Sequence, residues 1–188
     1  TKVASKISLN NSNLAEVLND ETNDFENEFD DQWVDLFSST FFNPKFNRIG
    51  ERQFSEIKSI AIKGWPLDGE FEGNESLEFI ISVKAKRKFI PSIGMGIWSV
   101  DGIQVVGTNS NLCKLDFKEM DCGEIRNFSI KTKLNLNAGA FFFNFGVDYK
   151  NENETIFDDV MRSAMVIQVK YQERFVGLTR SEILITEN

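Results

Sequence analysis

From about Arg52 to the C-terminus, hydrophobic and polar residues alternate in short runs, which is the pattern of half-buried β-strands. In several runs one face is clearly apolar. These core faces are Leu77, Phe79, Ile81, Val83 and Ala85; Phe128, Ile130, Thr132 and Leu134; and Phe141, Phe143, Phe145 and Val147. The pattern predicts strands near 53–63, 76–88, 92–100, 103–109, 124–134, 140–149, 162–173 and 181–187.

Turn-forming residues separate these predicted strands. The strongest turn signal is Asp101-Gly102, because this pair favours the tight turn of a two-residue β-hairpin. Many short strands with frequent turns are typical of an antiparallel sandwich. The sequence therefore predicts an all-β fold, an immunoglobulin-like antiparallel β-sandwich, over residues 48–188.

Residues 10–45 follow a different pattern, acidic and without glycine. Aromatic residues recur there every four positions, at Phe25, Phe29, Trp33 and Phe37. That spacing places them on one face of a helix, and Asn43-Pro44 would end it. We therefore predict an N-terminal helical arm over residues 1–47, packed on the main domain or on a neighbour.

Two predicted strands present an aromatic residue on the face opposite the core. In 92–100 this face has Gly94, Gly96 and Trp98, and in 140–149 it has Phe142, Asn144, Gly146 and Asp148. An indole can stack on the apolar face of a sugar ring, and nearby amide or carboxylate groups can bind its hydroxyls. The predicted glycan-binding residues are therefore Trp98, Phe142, Asn144 and Asp148, with Gly94 and Gly96 clearing space for the ring. The alternative is that Trp98 is buried under a loop or at a subunit contact.

Composition excludes several kinds of chemistry. The 188 residues have a net charge of −8 and include no histidine, so binding to nucleic acid and histidine-based catalysis are disfavoured. The chain has no Gly-Lys pair for a P-loop and no cysteine pair with zinc spacing. The pair Asp158-Asp159 is in a polar stretch and suggests a solvated loop rather than a catalytic dyad. We expect no cofactor and no metal, and we expect Cys113 and Cys122 to be unpaired thiols.

Four segments resemble one known family in their order and spacing. They are RIGERQFSEIKSIAI, GEFEGNESLEFIISVKA, IPSIGMGIWSVDGIQVVGTNS and CGEIRNFSIKTKLNLNAGAFFFNFGV, and the most specific part is Val106–Ser110 with its spacing to Gly139. Over about residues 48–170, the chain resembles the C-terminal domain of Wzt, the ATP-binding subunit of O-antigen ABC transporters. Trp98 occupies a position that is often polar or charged in that family, so its stacking role is inferred from the residues alone.

The resemblance implies a non-catalytic carbohydrate-binding domain that recognises the modified non-reducing terminus of O-antigen polysaccharide and couples chain completion to export. It implies partners as well: a homodimer that exchanges the strand Ser181–Glu187, and the nucleotide-binding and membrane subunits of the transporter. The location implied is cytoplasmic, at the inner membrane, with residues 1–45 linking to a nucleotide-binding half outside this sequence. Two alternatives stay open: a glycan-active enzyme that uses a carboxylate pair, and a structural dimerisation module.

Overall fold

The computed structural model describes residues 29–30, 32–66, 70–73, 75–151, 154–170 and 183–187. Within these ranges no helix is both long and apolar enough to cross a membrane. The described residues include one 3-10 helix, Leu36–Ser38, and these strands: β1 (Phe29–Asp30), β2 (Val34–Asp35), β3 (Asn47–Ile49), β4 (Ser55–Lys63), β5 (Trp65–Pro66), β6 (Glu70–Phe71), β7 (Ser76–Ala85), β8 (Pro91–Ser99), β9 (Gln104–Asn109), β10 (Ile125–Lys133), β11 (Gly139–Asn151), β12 (Glu154–Val169) and β13 (Ile183–Glu187).

Most of the strands form two packed sheets, and β1 and β5 form a separate two-stranded sheet. One packed sheet has the order β13-β10-β7-β4-β2, and the other has the order β3-β12-β11-β8-β9, with β6 beside β12. All pairings are antiparallel within the described ranges except the short β6–β12 pair. The two sheets meet through aromatic rings, since the Phe79 ring of β7 lies 5.1 Å from that of Phe145 and 5.9 Å from that of Phe143, both on β11. The predicted antiparallel β-sandwich is confirmed.

The core faces predicted by alternation are also confirmed. Their residues are at most 8% exposed, because alternate side chains of a strand point to the same side of the sheet. The Asp101-Gly102 turn is present too: Ser99 accepts a hydrogen bond from the Gly102 amide, and the Ser99 amide donates to Ile103. Gly102 has a φ of 77°, which the turn requires and which glycine adopts without strain.

The largest difference in strand bounds is at β12, which begins at Glu154 and not near residue 162. The missed segment contains Asp158 and Asp159, and both are almost fully buried. Asp158 accepts hydrogen bonds from the amides of residues 53–55, and Asp159 accepts from the Arg48 guanidinium at 2.5 and 2.7 Å. The prediction of a solvated loop is wrong, because these carboxylates bind backbone amides and one arginine inside the fold. Their oxygens are occupied by those bonds, so they do not resemble a catalytic pair.

The predicted helical arm is wrong over the described residues 29–30 and 32–45. This part of the chain forms the two-residue strands β1 and β2 and a single 3-10 turn. Leu36 and Phe41 are buried in the sandwich core, and the Phe41 ring contacts Trp65 and Phe71 at 5.3 and 5.4 Å. The aromatic residues thus pack in an extended segment against the sheets, and tertiary contacts override the helical spacing. The rest of the predicted arm, residues 1–28, lies outside the described residues.

The C-terminal strand pairs with its own chain in this structure. β13 pairs antiparallel with β10 and forms one edge of its sheet. Phe128 lies opposite Glu187 at one end of the pairing, and Thr132 lies opposite Ile183 at the other. Ile185 is fully buried there. The predicted residues 181–182 lie outside the described part of the chain.

Candidate functional site

The predicted glycan-binding residues share one surface. β8 and β11 are adjacent, with Trp98 opposite Phe142 and Gly96 opposite Asn144. We call this surface the outer face; it is made by the outward positions of β9, β8, β11 and β12, which are Gln104, Gly107 and Asn109; Gly94, Gly96 and Trp98; Phe142, Asn144, Gly146 and Asp148; and Phe157, Val160, Arg162 and Val166.

Trp98 leans along the strand and does not stand upright on the sheet. A Cβ built on Gly96 would lie 3.2 Å from Nε1 of Trp98, although the two residues are two positions apart. Gly96 therefore gives room for the indole itself, and not for a sugar ring as the sequence suggested. Across the hairpin, the Gln104 amide lies over Gly107 in the same way. Trp98 and Phe142 are both partly exposed, so one side of an aromatic platform is accessible from solvent.

Asn144 lies beside a bulge in the neighbouring strand. The β11–β12 register shifts between Phe143 and Phe145, and Ser163 adopts a positive φ of 55° there. The Ser163 amide donates to Oδ1 of Asn144 at 2.6 Å. This bond fixes the orientation of the side-chain amide, because only its oxygen can accept. The Asn144 nitrogen is therefore turned away from the bulge, and it has no hydrogen-bond partner among the described residues.

Asp148 is on the outer face but is only 3% exposed. Its carboxylate accepts a hydrogen bond from Nδ2 of Asn109 at 3.4 Å, and Oδ1 of Asn109 accepts from the Leu112 amide at 2.9 Å. Burial raises the pKa of Asp148 from 3.8 to about 6, partly opposed by the Asn109 bond. Asp148 lies in register between Ser92 and Phe157 and is covered, so its carboxylate is less accessible to a ligand than the sequence pattern suggested. In this structure the Asp148 carboxylate orients the side-chain amide of Asn109 through the hydrogen bond between them.

The site residues predicted from the sequence do not include Gln104, Asn109, Phe157 and Arg162, which also lie on this face. Gln104 and Asn109 follow the predicted hairpin, and the pairing of β8 with β9 puts them opposite Trp98 and Gly94. That signal could have been used, because a tight turn fixes the register of a hairpin. Phe157 lies in the part of β12 that precedes the predicted start near residue 162, whereas Arg162 is the first residue of the strand predicted over 162–173; both side chains are exposed.

The outer face is suited to binding and not to group transfer. It combines a leaning indole, two phenyl rings, three side-chain amides and one guanidinium on a single sheet. No cluster of histidine, cysteine, aspartate or glutamate able to hold a metal ion occurs within the described ranges. Cys113 and Cys122 are free thiols.

Comparisons with known proteins bear on the whole fold. The sequence model of the Wzt C-terminal domain matches residues 50–180. The chain is also similar to the crystal structure of the C-terminal domain of Wzt, with 22% identity, a TM-score of 0.67, and coverage of 77% of this chain and 89% of that one. A calcium-binding mutant of Bacteroides uniformis beta-glucuronidase 2 shows 14% identity, coverage of 60% and 13%, and a TM-score of only 0.37. No curated protein matches the chain.

Proposed function

The chain belongs to the Wzt C-terminal domain family, as its motifs predicted, and from that premise we propose that it binds the modified non-reducing terminus of an O-antigen polysaccharide without catalysing a reaction on it. The outer face is the binding surface. Trp98 and Phe142 contact the apolar side of a terminal sugar, and Asn144 binds one of its polar groups. Asp148 acts indirectly, by holding Asn109 at the edge of the platform.

The observation that supports this proposal most is the pairing of Trp98 with Phe142 on neighbouring strands of the outer face, where both side chains are partly exposed. Trp98 and Phe142 are partly exposed side by side, and apolar area that stays in contact with water as a contiguous patch is typical of binding surfaces. Gly96 allows the indole to lean over the sheet, because a Cβ there would lie 3.2 Å from Nε1 of Trp98. An aromatic surface of this shape fits the flat C–H side of a pyranose ring, and the amides at its border fit hydroxyl groups.

Binding at such a site is weak, and this determines the assay. A contact with one or two sugars involves about 15–20 heavy atoms, and at roughly −0.3 kcal/mol each this gives about −5 kcal/mol. The dissociation constant is then about 0.1–1 mM. Titration calorimetry or NMR at high protein concentration is suited to that range. The ligand is polysaccharide from the source cells, and the affinity for the intact polymer is compared with the affinity for the polymer without its terminal modification.

The first prediction concerns Trp98. Trp98→Ala removes the platform, so we expect binding of the intact polysaccharide to fall at least tenfold while the domain stays folded, because the side chain is only partly buried. Trp98→Phe retains a stacking ring and should retain much of the affinity. Ile125→Ala is the matched control, because Ile125 is also exposed but belongs to β10 in the other sheet. If Trp98→Ala binds as well as the unchanged protein, the outer face is not the glycan site.

We further propose that the domain works as a homodimer within the transporter, together with its nucleotide-binding and membrane subunits, at the cytoplasmic side of the inner membrane. The pairing of β13 with the edge of β10 supports strand exchange, because the same edge offers the same hydrogen bonds to the strand of a second copy. Deleting residues 178–188 should therefore convert a dimer into a monomer or an aggregate, as measured by light scattering. A truncated protein that remains a well-folded dimer would exclude exchange of this strand.

A further inference from the structure

The polar groups of the outer face are mainly hydrogen-bond donors. Oδ1 of Asn144 is occupied by the Ser163 amide, so the side chain presents its NH2 group to a ligand. The indole Nε1 of Trp98 can only donate, and it has no acceptor among the described residues. Both groups therefore require a ligand atom that accepts hydrogen bonds.

Arg162 adds a cation to the same part of the face. It lies on β12 beside Ser163, outward and exposed, and opposite Asn47 of β3. No ion pair joins it to any described acidic residue, whereas Arg48 and Arg126 are each paired with carboxylates. Arg162 therefore has a positive charge on the outer face that no described carboxylate neutralises.

These three groups lie in one line across the sheet. Nε1 of Trp98 is above Gly96, Gly96 pairs with Asn144, and Asn144 bonds to the residue after Arg162. Neighbouring strands are about 4.8 Å apart, so the line spans about 10 Å from β8 to β12. Among the described outward side chains of β8, β9, β11 and β12, only Arg162 and Asp148 are ionisable. Asp148 is buried, and it lies four residues from Asn144, about 13 Å along the strand.

We propose that this line of donors binds an anionic group on the terminal sugar, a phosphate or a carboxylate. The inference rests on the proposed glycan-binding function and names the chemistry of the terminal group. Arg162 neutralises the charge and can bind two of its oxygens. Asn144 and the Trp98 indole bind the remaining acceptor atoms, while the sugar ring stacks on the aromatic platform.

The first test uses small anions and the full chain labelled with ¹⁵N. Methyl phosphate and acetate are titrated separately, with methyl glucoside as the neutral probe, and the side-chain N–H signals of Trp98, Asn144 and Arg162 are followed by NMR. We expect at least one anion to shift all three signals with a common saturation curve. Arg162→Gln should weaken that anion about tenfold or more, because a charge-assisted contact is lost, and Arg162→Lys should recover part of it. The inference is overturned if neither anion shifts these signals, or if Arg162→Gln leaves the titration unchanged.

Asn144→Asp separates the donor role from a structural role. The aspartate retains an oxygen for the Ser163 amide but replaces the NH2 donor with a second, charged acceptor. We expect this variant to fold normally and to lose anion binding. Lys131→Gln is the control for charge alone, because Lys131 is an exposed cation on β10 in the other sheet. An equal loss of anion binding in Lys131→Gln would show a general charge effect and would overturn the inference.

The second test uses the source polysaccharide before treatment, after removal of phosphate esters with hydrofluoric acid, and after reduction of carboxylates to alcohols. We expect one treatment, which identifies the anion, to weaken binding about tenfold to the unchanged protein and far less to Arg162→Gln. If neither treatment matters while Trp98→Ala still abolishes binding, the anionic group is excluded and the glycan-binding function stands. If the untreated polysaccharide does not bind, both proposals fail.

Discussion

Asp148→Asn should stabilise the domain near neutral pH, and by an amount that depends on pH. The folded chain holds this carboxyl with a pKa of about 6, compared with 3.8 for the free group. Between these values the folded state retains a proton that the unfolded state has released, so the stability contributed by Asp148 is complete below pH 4 and is lost as the pH rises through 6. A difference of about two pKa units corresponds to about 3 kcal/mol.

The asparagine cannot ionise, so the variant avoids this loss. We expect its free energy of unfolding to exceed that of the unchanged protein by about 2–3 kcal/mol at pH 7–8, with the difference declining toward zero near pH 4. The measurement is urea denaturation followed by tryptophan fluorescence across this pH range. The asparagine oxygen can still accept the bond from Asn109, so the local geometry is retained.

Two results would contradict this reasoning. One is a stability difference that does not change between pH 4 and 8, because an uncharged effect of the substitution would have that form. The other is an Asp148 carboxyl carbon that titrates in NMR with a midpoint near 4, because burial would then not have raised the pKa. Phe143→Ala serves as the comparison variant: its effect arises from packing, so the loss of stability should be nearly the same at every pH.

Two further predictions concern the core. Phe143 is fully buried against Phe79, so Phe143→Ala should leave a cavity and lower the free energy of unfolding by about 3–5 kcal/mol, as measured by urea denaturation. A decrease below about 1 kcal/mol would mean that the core is loosely packed. Asp159→Asn removes the charge that the Arg48 guanidinium faces in a buried site. We therefore expect the free energy of unfolding to fall by about 3–5 kcal/mol in the same assay. A variant as stable as the unchanged protein would show that this ion pair is dispensable.

Much of the fold could be predicted because the core strands alternate without interruption. β7 and β11 have apolar residues at every second position, and β10 follows the same period from Phe128 onward with Thr132 as its one polar member, so that the period assigns both the strand and its buried face. β12 fails this test in its first half, because Asp158 and Asp159 interrupt the apolar pattern. Their partners are the Arg48 side chain and the amides of residues 53–55, about a hundred residues earlier in the chain. A contact over that distance leaves no periodic signal in the local sequence.

The outer face shows a second limit of prediction from alternation. The alternation of residues predicts correctly which side chains of β8 and β11 point outward. It does not predict how exposed each of these side chains is. Asp148 is outward and yet covered: Asn109 of β9 reaches its carboxylate across β8, and Phe157 of β12 faces it in register. Trp98 is outward and leans over Gly96. The absence of a side chain at Gly96 therefore determines the orientation of the indole and does not open space for a ligand. Access to a sheet face depends on side chains from adjacent strands, and their register is a property of the folded chain. The residues that determine access here, Asn109 and Phe157, are therefore the ones that inspection of β8 and β11 alone could not select.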